Sequence, residues 1–94
     1  MCYNKMYAPK MPTVGQAVVS TMGHDEKRVY LVVAVLSPEF VLCVDGKVRR
    51  LDKPKVKRYK HVKPLCEADE KIVQKIASGK LTDTEIKKFL EQFV

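Results

Sequence analysis

The sequence predicts a mainly β fold: a small barrel over residues 12–64, followed by two short α-helices over residues 65–94. Short apolar runs rich in β-branched residues alternate with turn signals every eight to ten residues, which suits a small barrel. After Pro64 the apolar spacing changes to that of amphipathic helices. With 94 residues there is room for one domain with a thin core, and a hydrophobic content of 46% is that of a globular chain.

Residues 1–11 read as an irregular N-terminal segment, with Pro9 and Pro12 as breakers. Residues 14–21, VGQAVVST, form the first predicted strand, and the polar stretch MGHDEKR turns the chain. Residues 29–36, VYLVVAVL, are almost wholly apolar and predict a buried strand. A loop at Ser37, Pro38 and Glu39 leads to a further strand over residues 40–44, FVLCV. Asp45-Gly46 then separates FVLCV from KVRRL by two residues, a strong hairpin signal because a type I′ turn needs positive φ at both central positions. That hairpin sets Val44 opposite Lys47, Cys43 opposite Val48 and Leu42 opposite Arg49. Beyond Pro54, residues 56–62 predict a short edge strand, where proline and many lysines are tolerated.

In the C-terminal part, Ala68, Ile72, Val73, Ile76 and Ala77 have helical spacing, with Gly79 placed just past a helix end. Thr82 and Glu85 make a capping-box pair for a second helix, with Leu81 and Ile86 as its hydrophobic staple. Ile86, Phe89, Leu90 and Phe93 share one face. Helices this short are marginal alone, so they must pack on each other, on the barrel or on a partner.

Charge is local. Residues 47–63 hold nine Lys or Arg against the single acid Asp52, while residues 1–46 balance to zero and residues 67–94 sum to −1. The chain's +7 therefore resides in one stretch, which points to a polyanion, RNA first. Such a run acts by neutralising phosphates, with Arg gripping through two parallel hydrogen bonds and Lys serving as a mobile point charge. An edge strand guarded by lysines against aggregation needs fewer cations than this. Nothing resembles a catalytic set or a glycine-rich phosphate loop, so no enzyme is expected. Two histidines and three cysteines lie scattered, without metal-ligand or disulfide spacing, so neither a metal nor another cofactor is expected. Cys43 reads as a small core residue. No apolar run approaches the ~18–20 residues of a membrane span, and MCYNKMYAPKMPT lacks a secretory h-region. A cytoplasmic protein with no membrane partner is the expectation.

GQAVVSTMGHDEKRVYLVV resembles a KOW element: a hydrophobic strand, a Gly-containing charged turn and a second hydrophobic strand. FVLCVDGKVRRLDKPKVKRYKHV is similar to the segment C-terminal to that element in bacterial KOW-domain RNA-binding proteins, relatives of the large-subunit ribosomal protein fourteen family of archaea and eukaryotes. KLTDTEIKKFL is similar to the helical tail of some bacterial members. The likeness runs from about Gly15 to Val62, and its most specific piece is Asp45-Gly46, Arg49, Lys53-Pro54-Lys55, Lys57 and Lys60-His61. The resemblance implies an SH3-like β-barrel and association with RNA or ribosomes, ribosomal RNA being the foremost RNA partner. The turn departs from the family's usual Gly-Arg-Asp-Lys-Gly-Arg: His24 replaces Arg, Glu26 reverses a charge, and Lys27 stands where the second glycine would be. A positive φ at Lys27 costs energy that glycine avoids, which favours another path for the loop.

The candidate RNA-binding residues are Lys47, Arg49, Arg50, Lys53, Lys55, Lys57, Arg58, Tyr59, Lys60, His61 and Lys63. Strand alternation would place Lys57, Tyr59 and His61 on one face and Arg58 and Lys60 on the other. Tyr59 and His61 are candidates for stacking on exposed bases. The turn supplies a secondary candidate set, His24, Lys27 and Arg28, although its formal charge of zero gives it a weaker electrostatic role. Replacing Arg49, Arg50, Lys55 and Lys57 by Ala is expected to weaken RNA binding while leaving the fold intact. The rival reading is a KOW-type protein-interaction module of the transcription and translation machinery. There the C-terminal helices are the working surface and contact ribosomal or other translation proteins.

Overall fold

A computed structural model describes residues 12–94. Five antiparallel strands precede two helices: β1 (Ala17–Ser20), β2 (Val29–Val35), β3 (Phe40–Val44), β4 (Lys55–Arg58), β5 (Val62–Pro64), α1 (Glu70–Ser78) and α2 (Asp83–Leu90). The predicted N-terminal segment, residues 1–11, lies outside the described residues. The strands form one sheet in the order β4-β3-β2-β1-β5. Neither helix is long and apolar enough to cross a membrane.

The outer strands β4 and β5 are joined only by the three-residue 3₁₀ turn Tyr59–His61. In a flat sheet, strands four places apart would lie about 19 Å from each other. A chain of that length reaches at most about 15 Å, so the sheet has to curl. Its two ends do approach: the Lys57 ammonium on β4 donates to the Ser20 hydroxyl on β1, the strand that pairs with β5, at 3.0 Å.

Curling gives the sheet two apolar faces with different covers. Val18, Tyr30, Val32, Val41, Cys43 and Val62 form a cluster built from strand residues alone, so the sheet itself encloses it. Alternate positions Ala17, Leu31 and Val44 point to the opposite face, where Ile72, Leu81, Ile86 and Leu90 from the helical segment cover them. Period-two alternation thus serves two cores at once over residues 29–33, whereas Val35 and Leu36, at the end of the run predicted as buried, are 44% and 54% exposed. A register shift at Val33, between Val32 and Ala34, bends β2. The C-terminal helices pack on the sheet through the face predicted from Ile86, Phe89, Leu90 and Phe93.

Both helices start, and α1 stops, where local chemistry dictates. Asp69 caps α1 by accepting from the Lys71 and Ile72 N–H groups, and Gly79 ends it in the left-handed conformation. Thr82 and Glu85 form the capping box expected for α2.

The predicted hairpin at Asp45-Gly46 is not formed. Residues 47–51 are not a strand, and β3 pairs instead with β4, with Cys43 opposite Lys55, Leu42 opposite Val56, Val41 opposite Lys57 and Phe40 opposite Arg58. Two contacts explain the difference. The Asp45 carboxylate accepts from the N–H groups of Lys47 and Arg49 at 2.8 and 2.9 Å, folding the chain back on itself instead of extending it. Leu51, which the hairpin would have placed opposite Phe40, packs against the helical core. The predicted edge strand at residues 56–62 is likewise divided, with β4 at one end of the sheet and β5 at the other.

Candidate nucleic-acid interface

Residues 45–54 form a loop fastened to α2. The Leu51 N–H donates to Asp83 Oδ1 at 3.0 Å, and Gly46 lies so close to the helix that a Cβ there would sit 2.5 Å from the Asp83 carbonyl oxygen. Gly46 also has φ +80°, so both conformation and space demand glycine. This anchored loop carries the exposed cations Lys47, Arg50 and Lys53 and the half-buried Arg49. The basic series continues through Lys55 and Arg58 on β4, Tyr59, Lys60 and His61 in the 3₁₀ turn, and Lys63 on β5. Arg58, Lys60 and Lys63 are exposed, while Tyr59 and His61 are half-buried. The strand ends at Arg58, so the predicted alternation does not reach Tyr59 and His61.

Lys57 stands apart. It is 8% exposed and faces the enclosed side of the sheet, where its ammonium donates to Asp25 Oδ1 and Ser20 Oγ, each at 3.0 Å. Lys55 pairs with the other Asp25 oxygen at 3.0 Å, and the Tyr30 hydroxyl donates to that oxygen at 2.8 Å. The Ser20 hydroxyl completes the set, 3.0 Å from Asp25 Oδ1. Lys57 is thus a structural cation, and the expectation that its replacement spares the fold is corrected: a buried charge cannot lose its partner freely. Burial alone would raise the Asp25 carboxyl, but hydrogen bonds from Lys57, Lys55, Tyr30 and Ser20 outweigh it and hold the group well below the usual carboxylate range. Tyr30 is pushed above its ordinary value by burial and by the Asp25 acceptor. Burial likewise pushes the Cys43 thiol up to about 12, in keeping with the core role read from its strand position.

The network redistributes surface charge. Asp25 is 6% exposed, so the turn at residues 23–28 shows solvent Glu26, Lys27 and Arg28, not the balanced set its composition suggests. The basic stretch loses Lys57 and shares Lys55 with the same carboxylate. Lys27 does adopt positive φ, at 73°, so the turn keeps the left-handed step despite lacking glycine there. Its N–H donates to the Ser20 carbonyl at 2.7 Å, and the Arg28 N–H to the Asp25 carbonyl at 2.9 Å, which supports the strained residue from both sides. His24 is exposed on the same turn.

Two residues outside the predicted set belong beside it. The Arg58 guanidinium lies 5.4 Å from the ring centre of Phe40, a cation–π pair at the outer end of the sheet. Tyr30 holds Asp25, and the signal for this was a hydroxyl inside an apolar strand, since a buried phenol needs a hydrogen-bond partner. Among the described residues, no group of three or more His, Cys, Asp or Glu is placed to hold a metal ion. No protein-family model matches the chain, and no curated protein matches it.

Proposed function

We propose that the protein is a noncatalytic RNA-binding protein of the KOW type, in which the curled sheet forms an SH3-like barrel. Its ligand is structured RNA, ribosomal RNA foremost, met in the cytoplasm as a ribosome-associated or ribosomal-protein-like component. The observation that supports this reading is the anchored loop at residues 45–54. Lys47, Arg50 and Lys53 are held on a backbone pinned to α2, so phosphate contacts would be presented at set distances, with less entropy lost on binding than a free basic tail would lose. Arg58, Lys60 and Lys63 extend the cationic track around the curled edge.

The rival role for the helices as a protein-docking surface draws less support, because the apolar face it would use is packed against Ala17, Leu31 and Val44. Co-sedimentation with ribosomes and free subunits at rising salt tests the proposal. Co-migration at low salt that is lost steeply as salt rises is expected. Failure to co-migrate even at low salt would rule out stable ribosome association.

A further inference from the structure

A groove of about 460 Å³ lies between the β1–β2 turn, the start of the loop at residues 45–54 and the last turn of α2. Lys27 and Arg28 enter it from the turn, Lys47 from the loop and Lys87 from the helix. These four cations come from three separate segments, and only folding gathers them. The acidic side chains lining the groove are Asp45 and Glu91, and the Asp45 carboxylate is already occupied by the N–H groups of Lys47 and Arg49. Asp25, which would offset Lys27 and Arg28, is turned inward onto Lys55 and Lys57. Between the cations the lining is aliphatic, with Val48 68% exposed, Val29 half-buried and Leu90 buried as part of the core.

We infer that this groove holds a single-stranded stretch of RNA, with phosphates on Lys27, Arg28, Lys47 and Lys87 and one unstacked nucleotide against Val48. The inference rests on the RNA-binding reading above and deepens it by naming the form of RNA and a second contact surface. Its size falls within the ~300–1,000 Å³ of sites that enclose small ligands. An A-form duplex presents its phosphates on a stiff convex surface with bases stacked inside, whereas a splayed strand delivers both a phosphate and a bare base face to one concavity. Net positive charge around the exposed Val48 side chain matches that pair of groups.

The test titrates the full chain, labelled for amide NMR, with hexauridylate and separately with a blunt RNA duplex at low salt. Two charge reversals accompany it: Lys87→Glu in the groove and Lys71→Glu on the exposed side of α1 as control, both checked by thermal melting. Expected are hexauridylate shifts centred on Lys47, Val48 and Leu90. Lys87→Glu should weaken hexauridylate binding at least fivefold, while Lys71→Glu changes it less than twofold. Should Lys87→Glu lose stability, Lys87→Gln takes its place with the same expectation at about half the effect. If hexauridylate shifts only β4 and the turn at residues 59–61, and the groove variant matches the control, the groove assignment is overturned while the RNA reading stands. If neither RNA binds even at low salt, both are overturned.

Discussion

Asp25 carries more of the structure than any other polar side chain described, because two lysines, a tyrosine and a serine converge on one buried carboxylate. Removing the negative charge leaves the Lys57 ammonium buried without its counter-ion, a change that typically costs about 3–5 kcal/mol. Asp25→Asn should therefore lower the urea midpoint sharply, an amount comparable with much of the total stability of a domain this small. A wild-type midpoint would show that the network contributes nothing. The same group sets an acid limit. Its folded-state carboxyl titrates below the unfolded one, so the stabilisation is complete above about pH 4 and is lost as pH falls further. Wild type should lose urea resistance between pH 4 and pH 2 with a steeper pH dependence than Asp25→Asn. Lys27 offers the opposite experiment. Its positive φ strains a side-chain-bearing residue by roughly 1–2 kcal/mol, partly offset in glycine by backbone entropy. Lys27→Gly should thus raise stability by up to about 1 kcal/mol while weakening RNA binding, and a variant that loses stability would refute the strain argument.

At the scale of elements, the loop at residues 45–54 is the segment whose form depends most on distant contacts. Gly46→Ala would force a Cβ against the Asp83 carbonyl and the Lys87 side chain at positive φ. The combined strain and overpacking should cost roughly 2–4 kcal/mol, read as a shift in denaturant midpoint with unchanged slope. The three inner strands and both helices were legible in the sequence, because short-range chemistry decides them. β-branched runs make β2 and β3, the Thr82–Glu85 box starts α2, and Gly79 ends α1. Residues 47–51 were not legible, since Asp45-Gly46 is compatible both with a hairpin and with a side-chain-capped loop. The choice is made by Asp83 and Leu51 in a contact spanning 32 positions of sequence. The candidate site was legible in part for a related reason. Alternation separates Lys57 from Arg58, but only the inward carboxylate of Asp25 decides which of them is buried.

For the whole molecule, folding spreads a one-dimensional charge run around a curled sheet. The exposed members Lys47, Arg50, Lys53, Arg58, Lys60 and Lys63 lie on the loop, β4, the 3₁₀ turn and β5 in succession. If about six phosphates are engaged, log affinity should fall with log salt with a slope on the order of −4 to −5, measured by fluorescence anisotropy on a ribosomal RNA fragment. Replacing Arg50, Lys53 and Lys60 together by Ala should flatten the slope by about 2 without altering the melting temperature. A salt-independent affinity would remove the electrostatic basis of the proposed function.

The tether between the loop and α2 has one further consequence. Whatever grips Lys47 or Arg50 also steadies Gly46 and Leu51, and through the Asp83 side chain it steadies the first turn of the helix. Amide hydrogens of α2 that make no contact with ligand should then exchange more slowly when RNA is bound, because opening the helix would require releasing the loop first. In deuterium-uptake measurements, the protein would report occupancy of its basic loop from an element more than thirty residues downstream.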